Sequence, residues 1–180
     1  MEQSVEYVTL RPYSAALSEI NQLVEAKLIT DYAIGGAVAS IMYSEPVFTN
    51  DLDIFFVPIE DRLLIDMSNI FSYFKKRGYR TEKDHIMIGS IPVQLLAASA
   101  LTKDAVENAT PTTIAGIQTK IFSPEYVIAV ALQVGRGRDV DKVERLLDQA
   151  SGQINTKKLH GILRKYKLMN KFRTIAAKRK

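Results

Sequence analysis

The sequence predicts an α/β fold of the α+β kind, in which a small mixed β-sheet flanked by helices is followed by a C-terminal helical region. Three observations carry this reading. Apolar residues recur at spacings of three and four in several stretches, short β-prone runs alternate with those stretches up to residue 121, and only helical patterns follow Ser123-Pro124. The expected division is a core over residues 1–122 and a helical region over 123–180, packed on it as one unit. A chain of 180 residues, 47% of them hydrophobic, is long enough to bury such a core.

Leu17, Ile20, Leu23, Val24 and Leu28 recur at helical spacing and predict a first helix from about Ser14 to Leu28. Tyr32 to Ile34 then reads as a short strand ending in the Gly35-Gly36 pair, and Ala37 to Tyr43 as a helix closed by Pro46. Asp51 to Val57 reads as a strand whose apolar end is buried. Leu63, Leu64, Met67, Ile70, Phe71 and Phe74 give the clearest amphipathic helix, which Gly78 stops. Asp84–Ile88 and Ile91–Leu96, separated by Gly89-Ser90, form a hairpin with a two-residue turn. A weaker helix (Ser99 to Asn108) and a strand (Gly116 to Ile121) lead to Ser123-Pro124-Glu125, a capping serine, a first-turn proline and a first-turn acid. The helix that starts there is apolar on every side from Tyr126 to Val134, so it belongs in the interior. After Gly135-Arg136-Gly137-Arg138 a further helix has Asp139 as its cap and Val140, Val143, Leu146 and Leu147 as its buried stripe. Gly152 ends it. Two basic helices, about Thr156 to Lys165 and Leu168 to Lys178, complete the chain.

Composition narrows the chemistry. No apolar run approaches the ~20 residues that span a bilayer, and residues 1–11 lack an apolar signal-peptide centre, so a cytoplasmic location without a membrane partner is expected. The chain has no cysteine, which excludes disulfides, thiolate metal sites and a cysteine nucleophile. Its only histidines, His85 and His160, have no ligand-spaced partner; this argues against zinc, and both read as surface or packing residues. The net charge of +4 hides an asymmetry, because residues 157–180 hold ten of the 24 basic residues and none of the 20 acidic ones. A basic tail on an acidic body fits a polyanionic partner such as RNA, or simply a solvated helical face.

The chemistry-bearing pattern lies between the first two strands. Asp51 and Asp53 are two residues apart on a strand, so both carboxylates project from one face while Leu52 points into the core. Such a pair repels itself unless it holds a cation or one acid stays protonated. A hard oxygen site of this kind suits Mg²⁺, with Mn²⁺ as the alternative, the remaining ligands coming from water and substrate phosphates. Upstream, Gly35, Gly36 and Ala37 stand at a strand-to-helix junction, where the backbone approaches closely and N–H groups face an incoming phosphate. Arg136 and Arg138, flanked by glycines in a loop between helices, are candidate phosphate contacts. Glu60 and Asp61 read as dipole partners of a helix start, and Asp84 sits at a strand start.

The run Ile34-Gly35-Gly36-Ala37, followed after a helix by Thr49-Asn50-Asp51-Leu52-Asp53-Ile54, resembles the signature of the nucleotidyltransferases related to DNA polymerase beta. The similarity is greatest to the bacterial branch of abortive-infection toxins and minimal nucleotidyltransferases. It covers roughly residues 30 to 150, with Ile91–Leu96 resembling the strand of the family's third carboxylate and Ser123–Leu147 the helical part that follows. The resemblance implies a nucleoside triphosphate as ligand, held at Gly35 and Gly36, with metal on Asp51 and Asp53. It also implies transfer of a nucleotidyl group to RNA, a protein hydroxyl or a small molecule, with release of pyrophosphate. Three positions depart from the pattern: the third carboxylate falls at Gln94, a basic residue at Val47 and a helix lysine at Ala131. Glutamine cannot act as a general base, a role worth ~10²- to 10⁴-fold in rate. Two expectations therefore stand: an active metal-dependent nucleotidyltransferase, and a degenerate relative that binds nucleotide, RNA or a partner protein. A third reading takes the resemblance as fold only, with a toxin–antitoxin type of protein partnership through the helices.

Overall fold

The computed structural model describes residues 11–45, 49, 51–59 and 66–177. Among them, seven strands form one sheet: β1 (Asp31–Ile34), β2 (Leu52–Val57), β3 (Arg80–Glu82), β4 (His85–Ile88), β5 (Ile91–Ala97), β6 (Thr110–Ile114) and β7 (Ile117–Ile121). Their order is β3-β4-β5-β2-β1-β7-β6. The β2·β5 and β1·β7 pairings are parallel and the rest antiparallel, so the sheet is mixed, as expected. The helices are α1 (Ser14–Glu25), α2 (Gly36–Ile41), α3 (Ser68–Lys76), α4 (Ala100–Glu107), α5 (Pro124–Val134), α6 (Gly137–Gln149), α7 (Thr156–Lys165) and α8 (Met169–Ala177).

The sheet separates two apolar layers. On one side Leu17, Ile20 and Leu23 of α1 and Ile70 and Phe74 of α3 pack with Leu52, Ile54, Phe56 and Val93. On the other, Ala33, Ala39 and Leu101 share a cluster with Ile128 and Leu132 of α5, Val143 and Leu146 of α6, and Leu163 of α7. The burial of α5 follows from its unbroken apolar sequence: every residue from Pro124 to Ala129 is buried. The helical region thereby closes over the α2 side of the sheet.

Several local expectations are corrected. The first helix stops at Glu25 rather than Leu28, because Lys27 turns left-handed (φ 55°) and the Leu28 N–H reaches back to the Leu23 carbonyl at 2.9 Å. The second strand starts at Leu52, leaving Asp51 just before it. Ser123 occupies the cap position of α5, yet its hydroxyl donates to Glu125 Oε2 at 2.7 Å instead of capping. Asp139 is the third residue of its helix, not the cap: Arg136 holds that position in extended geometry, and its N–H donates to Asp139 Oδ2 at 3.2 Å. Strands β3 and β6 went unread because both are largely exposed, without the apolar alternation that marks a half-buried strand. The helix α3 begins at Ser68 with Met67 at its cap, so Met67 lies outside the helix expected over Leu63–Phe74; residues 60–65, including Glu60 and Asp61, lie outside the described residues, as do Pro46, Val47 and residues 178–180.

Candidate functional site

The site is built where β1 hands over to α2, beside β2. The Gly35 N–H donates to the Asp53 carbonyl at 3.0 Å, which continues the β1·β2 pairing past Ile34 and clamps the glycine turn onto the acid strand. Gly36 then adopts φ +59°, a region that disfavours side chains. A Cβ there would lie 1.7 Å from Asp53 Oδ2, so the bare backbone of Gly36 makes the room in which the Asp53 carboxylate stands. At Gly35 a Cβ would strike the Phe55 ring at 2.4 Å, a ring held against Phe122 with centroids 4.9 Å apart. The turn needs both glycines, for different neighbours. Ala37 follows in the first turn of α2, where helix geometry leaves N–H groups without intrahelical partners.

Asp51 and Asp53 are both half-buried, while Leu52 between them is fully buried, as the strand alternation requires. Thr49 Oγ1 donates to Asp51 Oδ1 at 2.9 Å and orients it. Burial pushes the Asp53 carboxyl above the usual carboxylate range, and the charge of Asp51 pushes it further. Lys142, Arg138 and His85 oppose that rise. Burial raises the Tyr13 phenol as well, with Asp51 adding to it. The pair is thus an electrostatically strained acidic site faced by cationic side chains.

Arg138 and Lys142 lie one turn apart on α6, and the charges of both act on Asp53. Arg138 is among the expected phosphate contacts; Lys142 is not, although its spacing of four from Arg138 was a readable signal. Lys142 also stands 3.6 Å from Asp139 Oδ1. Arg136 is turned to a local duty, with its Nε donating to Asp139 Oδ2 at 3.0 Å. Ala131, the position of the expected helix lysine, is buried in α5.

Gln94 stands directly beside Asp53 in the parallel β2·β5 register, where the third carboxylate of the sequence pattern would be. Its Nε2 donates to Asp84 Oδ2 at 2.7 Å. Among the described residues no three His, Asp or Glu side chains converge to hold a metal, so a cation here would have two protein carboxylates and otherwise water or phosphate oxygens. That donor set fits Mg²⁺ or Mn²⁺, and the repulsion between Asp51 and Asp53 is the strain a divalent cation relieves.

The basic tail is partly committed to the body. Lys158 Nζ donates to Ser123 Oγ at 3.0 Å and pairs with buried Glu125, Lys165 pairs with Asp104, and Lys171 Nζ donates to the Leu132 carbonyl at 3.0 Å. Lys157, Arg164, Lys167 and Arg173 remain exposed. Among the described residues no helix is long and apolar enough to cross a membrane.

No protein-family profile and no curated protein matches the sequence. Solved structures do resemble the fold. An antigenic nucleotidyltransferase-like protein from Paracoccidioides brasiliensis superposes with a TM-score of 0.53 at 16% identity, covering 97% of this chain and 92% of that one. ANT(2″)-Ia, in complex with adenylyl-2″-tobramycin, superposes with a TM-score of 0.50 at 14% identity, covering 88% of this chain and 99% of that one. With the mixed sheet, the glycine turn and the flanking helices in place, these likenesses establish that the chain has a nucleotidyltransferase-like fold.

Proposed function

We propose that the protein is a metal-dependent nucleotidyltransferase that binds a nucleoside triphosphate with Mg²⁺ at Asp51 and Asp53. The observation that carries the reading is the bare backbone of Gly36, which leaves room for the Asp53 carboxylate, while the charges of Arg138 and Lys142 act on the same acid. Acids alone would need no such arrangement. Acids flanked by a bare glycine turn on one side and two cations on another suit a ligand that carries both a divalent cation and phosphates.

In this reading Asp51 and Asp53 hold the metal, which when bound would polarise the α-phosphate. The backbone of Gly35, Gly36 and Ala37 admits the triphosphate, and Arg138 and Lys142 neutralise the charge on the pyrophosphate that leaves. Arg136 braces the start of α6 through Asp139 and so positions Arg138. The acceptor is RNA, a protein hydroxyl or a small molecule; the exposed tail cations favour RNA. The narrower kinship, to the abortive-infection and minimal branch, rests on the sequence motifs and the helical end of the chain.

One observation favours a second reading. Gln94 puts a neutral amide where a third acid would stand, and that amide is already engaged with Asp84. A degenerate relative would keep nucleotide binding and lose transfer. Thermal melting with each of the four nucleoside triphosphates, with and without Mg²⁺, tests the shared core of both readings. At ~100 times the dissociation constant, binding adds ~2.7 kcal/mol of stability. Asp51→Asn/Asp53→Asn should abolish that gain, and no gain for the native chain with any nucleotide would sink the proposal.

A further inference from the structure

We infer that His85, held by Asp84, is the general base that takes the acceptor's proton, in place of the carboxylate that Gln94 lacks. The inference rests on the transferase reading above. It begins with the register of the sheet. Asp53 on β2 pairs with Gln94 on β5, Gln94 pairs with His85 on β4, and His85 pairs with Glu82 on β3. Directly paired residues share one face of a sheet, so these four form a single row across four strands. The alternate row, Leu52, Val93 and Ile86, is buried in the core, which leaves the row with Asp53 on the accessible side.

The direction of attack singles out His85 within that row. Gly36, Arg138 and Lys142 bear on Asp53 from α2 and α6. If the pyrophosphate departs toward those cations, the acceptor enters from the opposite side in an in-line displacement. Along the sheet, β1 and its glycine turn flank Asp53 on one side, and β5 and then β4, with Gln94 and His85, flank it on the other. His85 lies two strands from Asp53, about 9–10 Å across the sheet, which leaves space for the α-phosphate and an acceptor hydroxyl between them.

The side chain is prepared for the task. Asp84 Oδ2 accepts a hydrogen bond from Gln94 Nε2 at 2.7 Å, and His85 Nδ1 lies 2.9 Å from Asp84 Oδ1. A carboxylate only accepts, so Nδ1 carries the proton and Nε2 keeps its lone pair in the neutral ring. A hydrogen bond from its own backbone N–H chiefly keeps the Asp84 carboxyl below the usual range, and His85 and Gln94 add to that. His85 retains 24% side-chain exposure, enough for Nε2 to meet an incoming hydroxyl. Gln94, unable to accept a proton, instead fixes the acid that orients the base. In the step, the acceptor oxygen bonds to the α-phosphorus and its proton passes to Nε2. The bond from α-phosphorus to the bridging oxygen breaks, and pyrophosphate leaves with the electron pair.

The test measures pyrophosphate release from the four nucleoside triphosphates with Mg²⁺, water and an RNA pool serving as acceptors. His85→Ala should lower the rate by ~10²- to 10⁴-fold with an unchanged nucleotide-dependent melting shift, and added imidazole should restore part of it. His160→Ala, altering the other histidine, should change nothing. His85→Gln, which keeps a polar side chain of similar reach, guards against a folding defect and should be equally slow. Release within about threefold of the native rate overturns the assignment, as does a loss that imidazole does not restore. A native chain that binds nucleotide yet releases no pyrophosphate overturns the role of His85 and leaves the binding reading standing. A native chain that binds no nucleotide sinks both.

Discussion

Replacing Gly36 with alanine probes the contact on which the site depends. The new Cβ would sit at φ +59°, a conformation that costs an ordinary residue about 1–2 kcal/mol. It would also lie 1.7 Å from Asp53 Oδ2 and 2.7 Å from Cγ, so the carboxylate must swing aside. Forcing that side chain off its rotamer costs about 0.5–1.5 kcal/mol more. Gly89→Ala is the matched control, because Gly89 has φ +61° with nothing within 4 Å and carries only the backbone cost. The two variants should therefore differ by about 1 kcal/mol, or roughly 2–4 °C in melting temperature for a chain of this size. The functional contrast is larger. Gly89→Ala should keep the full Mg²⁺-dependent nucleotide gain of ~2.7 kcal/mol, whereas Gly36→Ala, with Asp53 displaced, should lose most of it. Melting curves of the three proteins with and without nucleotide decide the matter. A Gly36→Ala protein that keeps the native nucleotide shift would refute the claim that Gly36 exists to seat Asp53.

Three further outcomes follow from the same geometry. Lys142→Met should weaken nucleoside triphosphate binding by roughly 10- to 100-fold, the worth of a charge-assisted contact, in a calorimetric titration. Because Asp53 is raised above its ordinary value of 3.8, the folded chain retains a proton that the unfolded chain releases; its contribution is fully present at low pH and is lost as pH rises through the raised value. Asp53→Asn should thus raise the metal-free melting temperature near neutral pH and flatten that part of the pH profile. Glu125 behaves oppositely: burial pushes its carboxyl up, but hydrogen bonds from Ser123, from the Asn155 N–H and from its own N–H, together with Lys158, outweigh burial and hold it below 4.5. Its contribution is present above that value and lost as pH falls through the depressed one, so Glu125→Gln should cost ~1–3 kcal/mol at neutral pH and flatten the acid limb of the melting profile.

Much of this was readable from residue order alone. The glycine turn, the alternation of Asp51, Leu52 and Asp53, and the apolar α5 each follow from local rules, and local rules were enough to place them. The row through His85 was legible in part. A two-residue turn at Gly89-Ser90 fixes the hairpin register, and that register sets His85 opposite Gln94. What residue order does not give is the crossover that lays β5 beside β2, since parallel pairing depends on distant contacts. Without it His85 looks like an isolated surface histidine. Lys142 was hidden for a similar reason. Its spacing from Arg138 is local, but the placement of α6 near Asp53 depends on the packing of that helix on α5 and α8, with Val143 and Leu146 buried in the same cluster as Ile128 and Leu132. The caps were misread where side chains had better partners, as with Ser123 and buried Glu125.

The central claim, a divalent cation and nucleotide at Asp51 and Asp53, is tested most directly by NMR of the isotopically labelled chain with ATP and Mn²⁺, using Mg²⁺ as the diamagnetic reference. Paramagnetic broadening should centre on the amides of Gly36, Ala37, Asp51, Asp53 and Gln94, and disappear in Asp51→Asn/Asp53→Asn. Broadening centred elsewhere, or broadening that survives the double substitution, would contradict the account.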